Sequence, residues 1–258
     1  MMLTSKFYIF FVLLPILVSC STNETKPDIN RELMIYEQNL NEIFDGEHYY
    51  QNYSYGKYSS IKIYNENYKT AILYLHGRGL NPNEQNLAYP IRTVMSDKFN
   101  TYSIQLPVLK KASTYYEYIK IFYDSDERIK SAIENILNNN EKLIIIAHSC
   151  GVHMLMSYIR NNHLPSNVKS LVLIGSGAVD KGQRLLKHYP YEKISVPILD
   201  IYGENDFNLV LEKSKTRREF IKEISSKSKQ VEIKLSNHYH DDNSSEIIDQ
   251  VNKWLSTL

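Results

Sequence analysis

The 258-residue chain has only two cysteines, Cys20 and Cys150, and a single tryptophan, and it carries no block of like charge. Two cysteines exclude a small disulfide-stapled scaffold, so stability must come from a packed core. The 30 basic and 29 acidic side chains nearly cancel. Without a basic stretch there is no electrostatic footprint for nucleic acid. No apolar run reaches the roughly 20 residues of a comfortable membrane span. No internal repeat, low-complexity stretch or interior linker breaks the chain, which favours one domain. Hydrophobic residues make up 43%, enough at this length for one large core. No cluster of His, Asp and Glu suggests a metal, and nothing calls for an organic cofactor. The 21 tyrosines support no functional reading.

The N-terminus holds a signal. Lys6 precedes the apolar run Phe7–Val18, followed by Ser19-Cys20. A positive residue, a short apolar stretch and a small residue before the cut describe an export signal. Leu17-Val18-Ser19-Cys20 resembles the bacterial lipobox, whose cysteine is diacylglycerylated before cleavage. The expectation is a signal peptide over 1–19, a polar tether over 20–30 starting at lipidated Cys20, and one domain over 31–258. The protein would be exported and membrane-anchored, facing the periplasm or the cell surface. Cys150 would then have no disulfide partner. Ser21 after the lipidated cysteine is compatible with outer-membrane sorting.

Beyond the tether, residues 31–44 have the spacing of a short amphipathic helix, with Leu33, Ile35 and Leu40 on its apolar side. Residues 49–64 alternate as an antiparallel edge would. Apolar runs at 71–75, 102–106, 143–147, 171–174, 198–202 and 231–235 read as strands, several of them buried on both faces. Helical spacing appears over 127–138, 152–160, 209–228 and 244–258. Alternating strand and helix predicts an α/β fold with a mostly parallel sheet and helices on both faces. Between residues 174 and 197 there is room for little or no cap.

In such a sheet the chemistry gathers beyond the carboxyl ends of the strands. After strand 143–147 comes His148-Ser149-Cys150-Gly151, then a helix. Ala147-His-Ser-Cys-Gly151 resembles the nucleophile elbow, where a strained strand-to-helix turn demands small residues on both sides of the serine. Cys150 is a poor alternative nucleophile, because β-branched Val152 falls where a small residue is needed. After strand 71–75 comes His76-Gly77-Arg78-Gly79, and glycines there let the backbone approach a substrate. His76 is expected to brace that turn. After strand 198–202 comes Gly203-Glu-Asn-Asp206, with Asp206 the candidate acid and Asp180 a second possible position. After strand 231–235 comes Ser236-Asn-His238-Tyr-His240, with His238 the candidate base and His240 the alternate. His148, beside the elbow, could touch substrate.

The order Ser149, Asp206, His238 resembles that of the α/β-hydrolase superfamily. Ile104-Gln-Leu-Pro107, Tyr115-Tyr116 and Arg128-Ile129 are similar to segments of a group of bacterial exported α/β-hydrolase-like lipoproteins. The resemblance implies a serine hydrolase acting on an ester, or a thioester or amide, through an acyl-Ser149 intermediate. The backbone N–H groups of Cys150 and Arg78 would then form the oxyanion hole. The Arg78 side chain would point to solvent or meet an anionic substrate group. A short 174–197 segment favours small or extended esters, or acyl groups on an envelope component, over long-chain lipid. Acyl transfer, and a non-catalytic envelope lipoprotein that uses the fold for binding, are the competing readings.

Overall fold

Stretches such as Leu143-Ile-Ile-Ile-Ala147 are apolar on both sides, so they need cover on both faces of a sheet. The computed structural model, which describes residues 25–258, supplies that cover. The expected signal peptide and Cys20 lie outside the described residues. The strands are β1 (Glu47–Tyr53), β2 (Gly56–Ile63), β3 (Thr70–Leu75), β4 (Asn100–Ile104), β5 (Lys142–His148), β6 (Val168–Ile174), β7 (Ile198–Asn205) and β8 (Lys229–Asn237). They form one sheet in the order β1-β2-β4-β3-β5-β6-β7-β8. β1, β2 and β4 pair antiparallel, and all other pairs are parallel.

The helices are α1 (Ile29–Leu40), α2 (Ala88–Met95), α3 (Tyr115–Tyr118), α4 (Phe122–Leu137), α5 (Cys150–Asn161), α6 (Asn208–Glu212), α7 (Ser214–Ile224) and α8 (Ser244–Leu255). Successive side chains on a strand point to opposite faces, so each central strand feeds two cores. Leu73, Ile145 and Leu171 pack with Ile133 of α4, Leu155 of α5 and Ile221 of α7. Ile72, Ile144 and Val172 pack on the other side with Ile91 of α2 and Ile247 and Val251 of α8.

Three elements differ from the sequence expectation. Residues 209–228 form two helices, α6 and α7, because the chain turns at Lys213, and α7 ends at Ile224. α2 was hidden by Pro90, which a helix accepts in its first turn. Glu84 caps it, accepting from the backbone N–H groups of Leu87 and Ala88. α1 is reversed in sense: it buries Glu32 and Asn39 and exposes Leu33 and Leu40.

Glu32 explains the reversal. Arg128 of α4 is fully buried, and its Nη1 donates to Glu32 Oε2 at 2.9 Å and to the Gln105 carbonyl at 3.0 Å. Its Nε donates to Asp124 Oδ1 at 2.7 Å. Burial raises the pKa of both carboxyls, against the pull of the guanidinium. One cation thus fastens α1, α4 and the segment after β4. Removing one partner of a buried ion cluster strands the others, at about 3–5 kcal/mol. Arg128→Met is therefore expected to lower the stability of the Ser21–Leu258 chain by that amount, read from urea unfolding. A loss under about 1 kcal/mol would contradict the role given to this cluster.

Candidate active site

At the end of β5 the chain turns sharply into α5, and Ser149 takes φ 53° and ψ −118°. Non-glycine residues adopt positive φ only at a cost, so the surroundings must enforce it. Ser149 N–H donates to the Ile174 carbonyl of β6 at 2.8 Å. A Cβ on Gly151 would lie 2.4 Å from the Leu75 carbonyl oxygen and 2.6 Å from that of His76. A larger residue there would push α5 off β3. The fully buried Ala147 meets the same demand on the strand side.

The turn lifts Ser149 Oγ to His238, which sits just past β8. The Ser149 hydroxyl donates to His238 Nε2 at 2.8 Å, and His238 Nδ1–H donates to Asp206 Oδ1 at 2.6 Å. Asp206 lies just past β7. Burial pushes its carboxyl up, but the bond from His238 and those from the N–H groups of Phe207 and Gly203 outweigh this and hold its pKa below the usual range. The His238 ring is fixed on its faces as well as its edges. Phe207 stacks on it at 4.1 Å between centroids. Gly175, at φ 64°, passes so close that a Cβ would lie 2.8 Å from His238 Cε1. The structure thus brings Ser149, His238 and Asp206 into one hydrogen-bonded chain.

The loop after β3 runs against the serine, and a Cβ on Gly77 would lie 3.2 Å from Ser149 Cβ. The Arg78 side chain, partly exposed, is committed to a partner within the protein. It pairs with Asp180 through both nitrogens, at 2.6 and 2.7 Å. Asp180 also accepts from the Tyr115 N–H at 2.7 Å, so it is committed to this loop and does not serve as a second acid. Hydrogen bonding from Arg78 holds the Asp180 pKa low. Arg31 of α1 grips the same loop, donating to the Gly79 carbonyl at 3.0 Å and to the Leu109 carbonyl. Cys150 opens α5, where a backbone N–H has no acceptor within the helix. Its thiol is buried, and burial pushes it up to about 12, which makes it a poor nucleophile.

The remaining histidines have other tasks. His240 does not join the chain; its Nδ1 is bonded to Ser236 Oγ at 2.8 Å. His148 is buried rather than turned to substrate, and its Nε2–H donates to the His238 carbonyl at 3.0 Å. His76 braces its turn, accepting from the Leu106 N–H at 2.9 Å. Phe207, Gly175 and Arg31 were not singled out in the sequence. The first two adjoin predicted positions, and Arg31 gives no local signal. Among the described residues no group of three or more His, Cys, Asp or Glu is placed to hold a metal.

The β6–β7 crossover contains one 3-10 turn, Tyr191–Lys193, and no α-helix. Beneath it lies a cavity of about 1010 Å³, walled by Tyr189, Tyr191, Ile194 and Phe220 and reaching Ser176 and Gly177, which follow Gly175.

The buried histidines make stability pH-dependent. Burial, with His238 nearby, lowers the His240 pKa from 6.5 to about 4. Between those values the unfolded chain binds a proton that the folded chain refuses, so stability falls as pH drops from 6.5 toward 4. His76, lowered by burial to about 4, acts in the same sense. Asp126, raised by burial to about 6, opposes it. His240→Asn keeps a residue that tolerates positive φ. It is expected to remove up to about 1.4 kcal/mol per pH unit from the slope in this window. Urea midpoints of both proteins between pH 4.5 and 6.5 check this; an unchanged slope would refute it.

No protein-family model and no curated protein sequence matches the chain. Solved structures do. Est1E from Butyrivibrio proteoclasticus aligns at 13% identity and TM-score 0.61, over 83% of this chain and 98% of its own. Carboxylesterase CesB from Bacillus subtilis aligns at 15% identity and TM-score 0.60, over 88% and 97%. A predicted CIB-like hydrolase from Thermoplasma acidophilum aligns at 16% identity and TM-score 0.61, over 83% and 99%. With its strand order and the elbow between β5 and α5, the chain has the α/β-hydrolase fold.

Proposed function

We propose that the protein is a serine hydrolase that cleaves carboxylic esters in the cell envelope. The carrying observation is the chain of hydrogen bonds Ser149–His238–Asp206, with distances of 2.8 and 2.6 Å. The esterase names of its structural neighbours agree with this reading. The lipobox-like Leu17–Cys20 segment supports the location.

In the reaction, Ser149 Oγ attacks the ester carbonyl carbon while His238 Nε2 takes the hydroxyl proton. The carbonyl oxygen gains the negative charge and faces the N–H groups of Cys150 and Arg78. The tetrahedral centre collapses, the bond to the alcohol oxygen breaks, and His238 returns the proton to that oxygen. Water then attacks the acyl-Ser149 carbon, losing its proton to His238, and the acid leaves as the serine is reprotonated. Asp206 stays ionised throughout, holding the ring and stabilising its cationic form. Acyl transfer differs only in that an alcohol replaces water. The cavity under the β6–β7 crossover offers an apolar bed for one half of the ester.

A fluorophosphonate probe is expected to label Ser149 in the Ser21–Leu258 chain, and Ser149→Ala to abolish labelling. Asp206→Asn should lower turnover of an active ester by about 10⁴-fold, since the ring then loses its fixed tautomer. Folded wild-type protein that resists the probe would sink the hydrolase reading and leave a binding lipoprotein in its place.

A further inference from the structure

An amphipathic helix on a globular protein normally turns its apolar stripe inward. α1 does the opposite. Its inward face carries Glu32, fixed by Arg128, and Asn39, whose Nδ2 donates to Asn81 Oδ1 at 3.2 Å. Its outward face carries Ile29, Leu33 and Leu40, exposed by 56%, 48% and 48%. At about 100° per residue these three fall within roughly 40° of arc, so they form one ridge. Phe44, four residues past Leu40, is 88% exposed. The ridge continues at Tyr36, which packs on Tyr50 of the edge strand β1 with centroids 4.5 Å apart. The exposed charges beside it are of both signs: the acids Glu37 and Glu42, and Lys57, whose Nζ lies 4.6 Å from the Tyr50 ring centre.

We propose that this ridge is a membrane-contact face, seated in the interfacial region of the bilayer. The length of chain ahead of it singles out this occupant. Ile29 stands nine positions after Cys20, so an acyl group on Cys20 keeps α1 within ~30 Å of the lipid surface. A short tether supplies an effective concentration in the millimolar range, at which even a weak apolar face is largely occupied. Covalent lipid holds the protein at the membrane; the helix sets its orientation. With acids and a lysine both beside the ridge, the charges largely offset and apolar burial supplies the attraction.

The contact also bears on the proposed reaction and, in that respect only, rests on the hydrolase reading. α1 lies across the loops that leave β3 and β4 at their carboxyl ends. Asp28 N–H donates to the Val108 carbonyl at 2.7 Å, and Arg31 holds Gly79, next to the Arg78 N–H. Seating α1 on lipid therefore brings the carboxyl edge of the sheet, where Ser149 stands, down to the bilayer. The substrate class this favours is an ester carried by a membrane component.

The test is sedimentation of the Ser21–Leu258 chain with phosphatidylcholine vesicles at millimolar lipid. That chain retains every described residue and lacks Cys20, so the outcome does not depend on acylation. The wild type is expected to co-sediment, and Leu33→Asp/Leu40→Asp to lower partitioning by at least about tenfold, the order expected for two lost leucine burials. Adding phosphatidylglycerol should not strengthen binding. Equal binding by both proteins, or binding by neither, overturns the proposal. A dimer in solution that the double variant dissolves, without vesicle binding, also overturns it and assigns the ridge to a second copy. Fluorophosphonate labelling, measured separately, reports on the hydrolase reading, and circular dichroism shows that the variant is folded.

Discussion

The backbone at Ser149 holds a conformation that costs an ordinary residue about 1–3 kcal/mol, and the centre of the molecule is arranged to sustain it. The strand that enters the turn is buried along Leu143–Ala147, so it cannot shift to relieve the strain. The helix that leaves it is pressed on β3 at Gly151, where even a methyl group would collide with two carbonyl oxygens. β6 contributes the carbonyl that accepts the Ser149 N–H. With three strands fixing the turn, Oγ projects above the sheet edge and the first turn of α5 points at whatever binds there. The strain thus becomes position: the hydroxyl meets His238 without searching for it.

The groups around the serine are held by polar pairs rather than by loop stiffness. Arg78 and Asp180 tie the β3 loop to the β6–β7 crossover, while Arg31 ties the same loop to α1. Asp200 and Arg217 tie β7 to α7 below Asp206. The Arg78–Asp180 pair is half-exposed, so it adds little to stability. Its value is geometric, because a bidentate guanidinium–carboxylate contact fixes an orientation as well as a distance. The Arg78–Asp180 pair thereby fixes the loop that carries Gly77 beside Ser149.

Much of this was legible in the sequence, for physical reasons. Strands buried on both faces leave continuous apolar runs, so β3, β5, β6 and β7 stood out. The residues after each strand end were visible because an α/β sheet puts its chemistry there. What stayed hidden depends on distant partners. Glu32 and Arg128 look like ordinary surface charges until the fold brings residues 96 positions apart into contact, and that contact helps decide which side of α1 faces in. His148 looked like a substrate contact because it adjoins the serine. Only the structure places the His238 carbonyl over its Nε2. His238 and His240 were separated by position after β8, and the fold gives the second to Ser236.

On the proposed acyl-Ser149 route, the enclosure of His238 constrains how the intermediate is resolved. One ring face is covered by Phe207 and the other side is closed by Gly175, and the side chain is only 2% exposed. A nucleophile that needs its proton removed can reach Nε2 only along the edge where Ser149 Oγ stands. Water or an acceptor alcohol must therefore come from the side already occupied by the acyl group. A small nucleophile fits that shared space most readily, whereas a bulky acceptor must displace part of the acyl group or the departing alcohol. On that route the balance between hydrolysis and transfer is set by the size of the competing nucleophile and its local concentration.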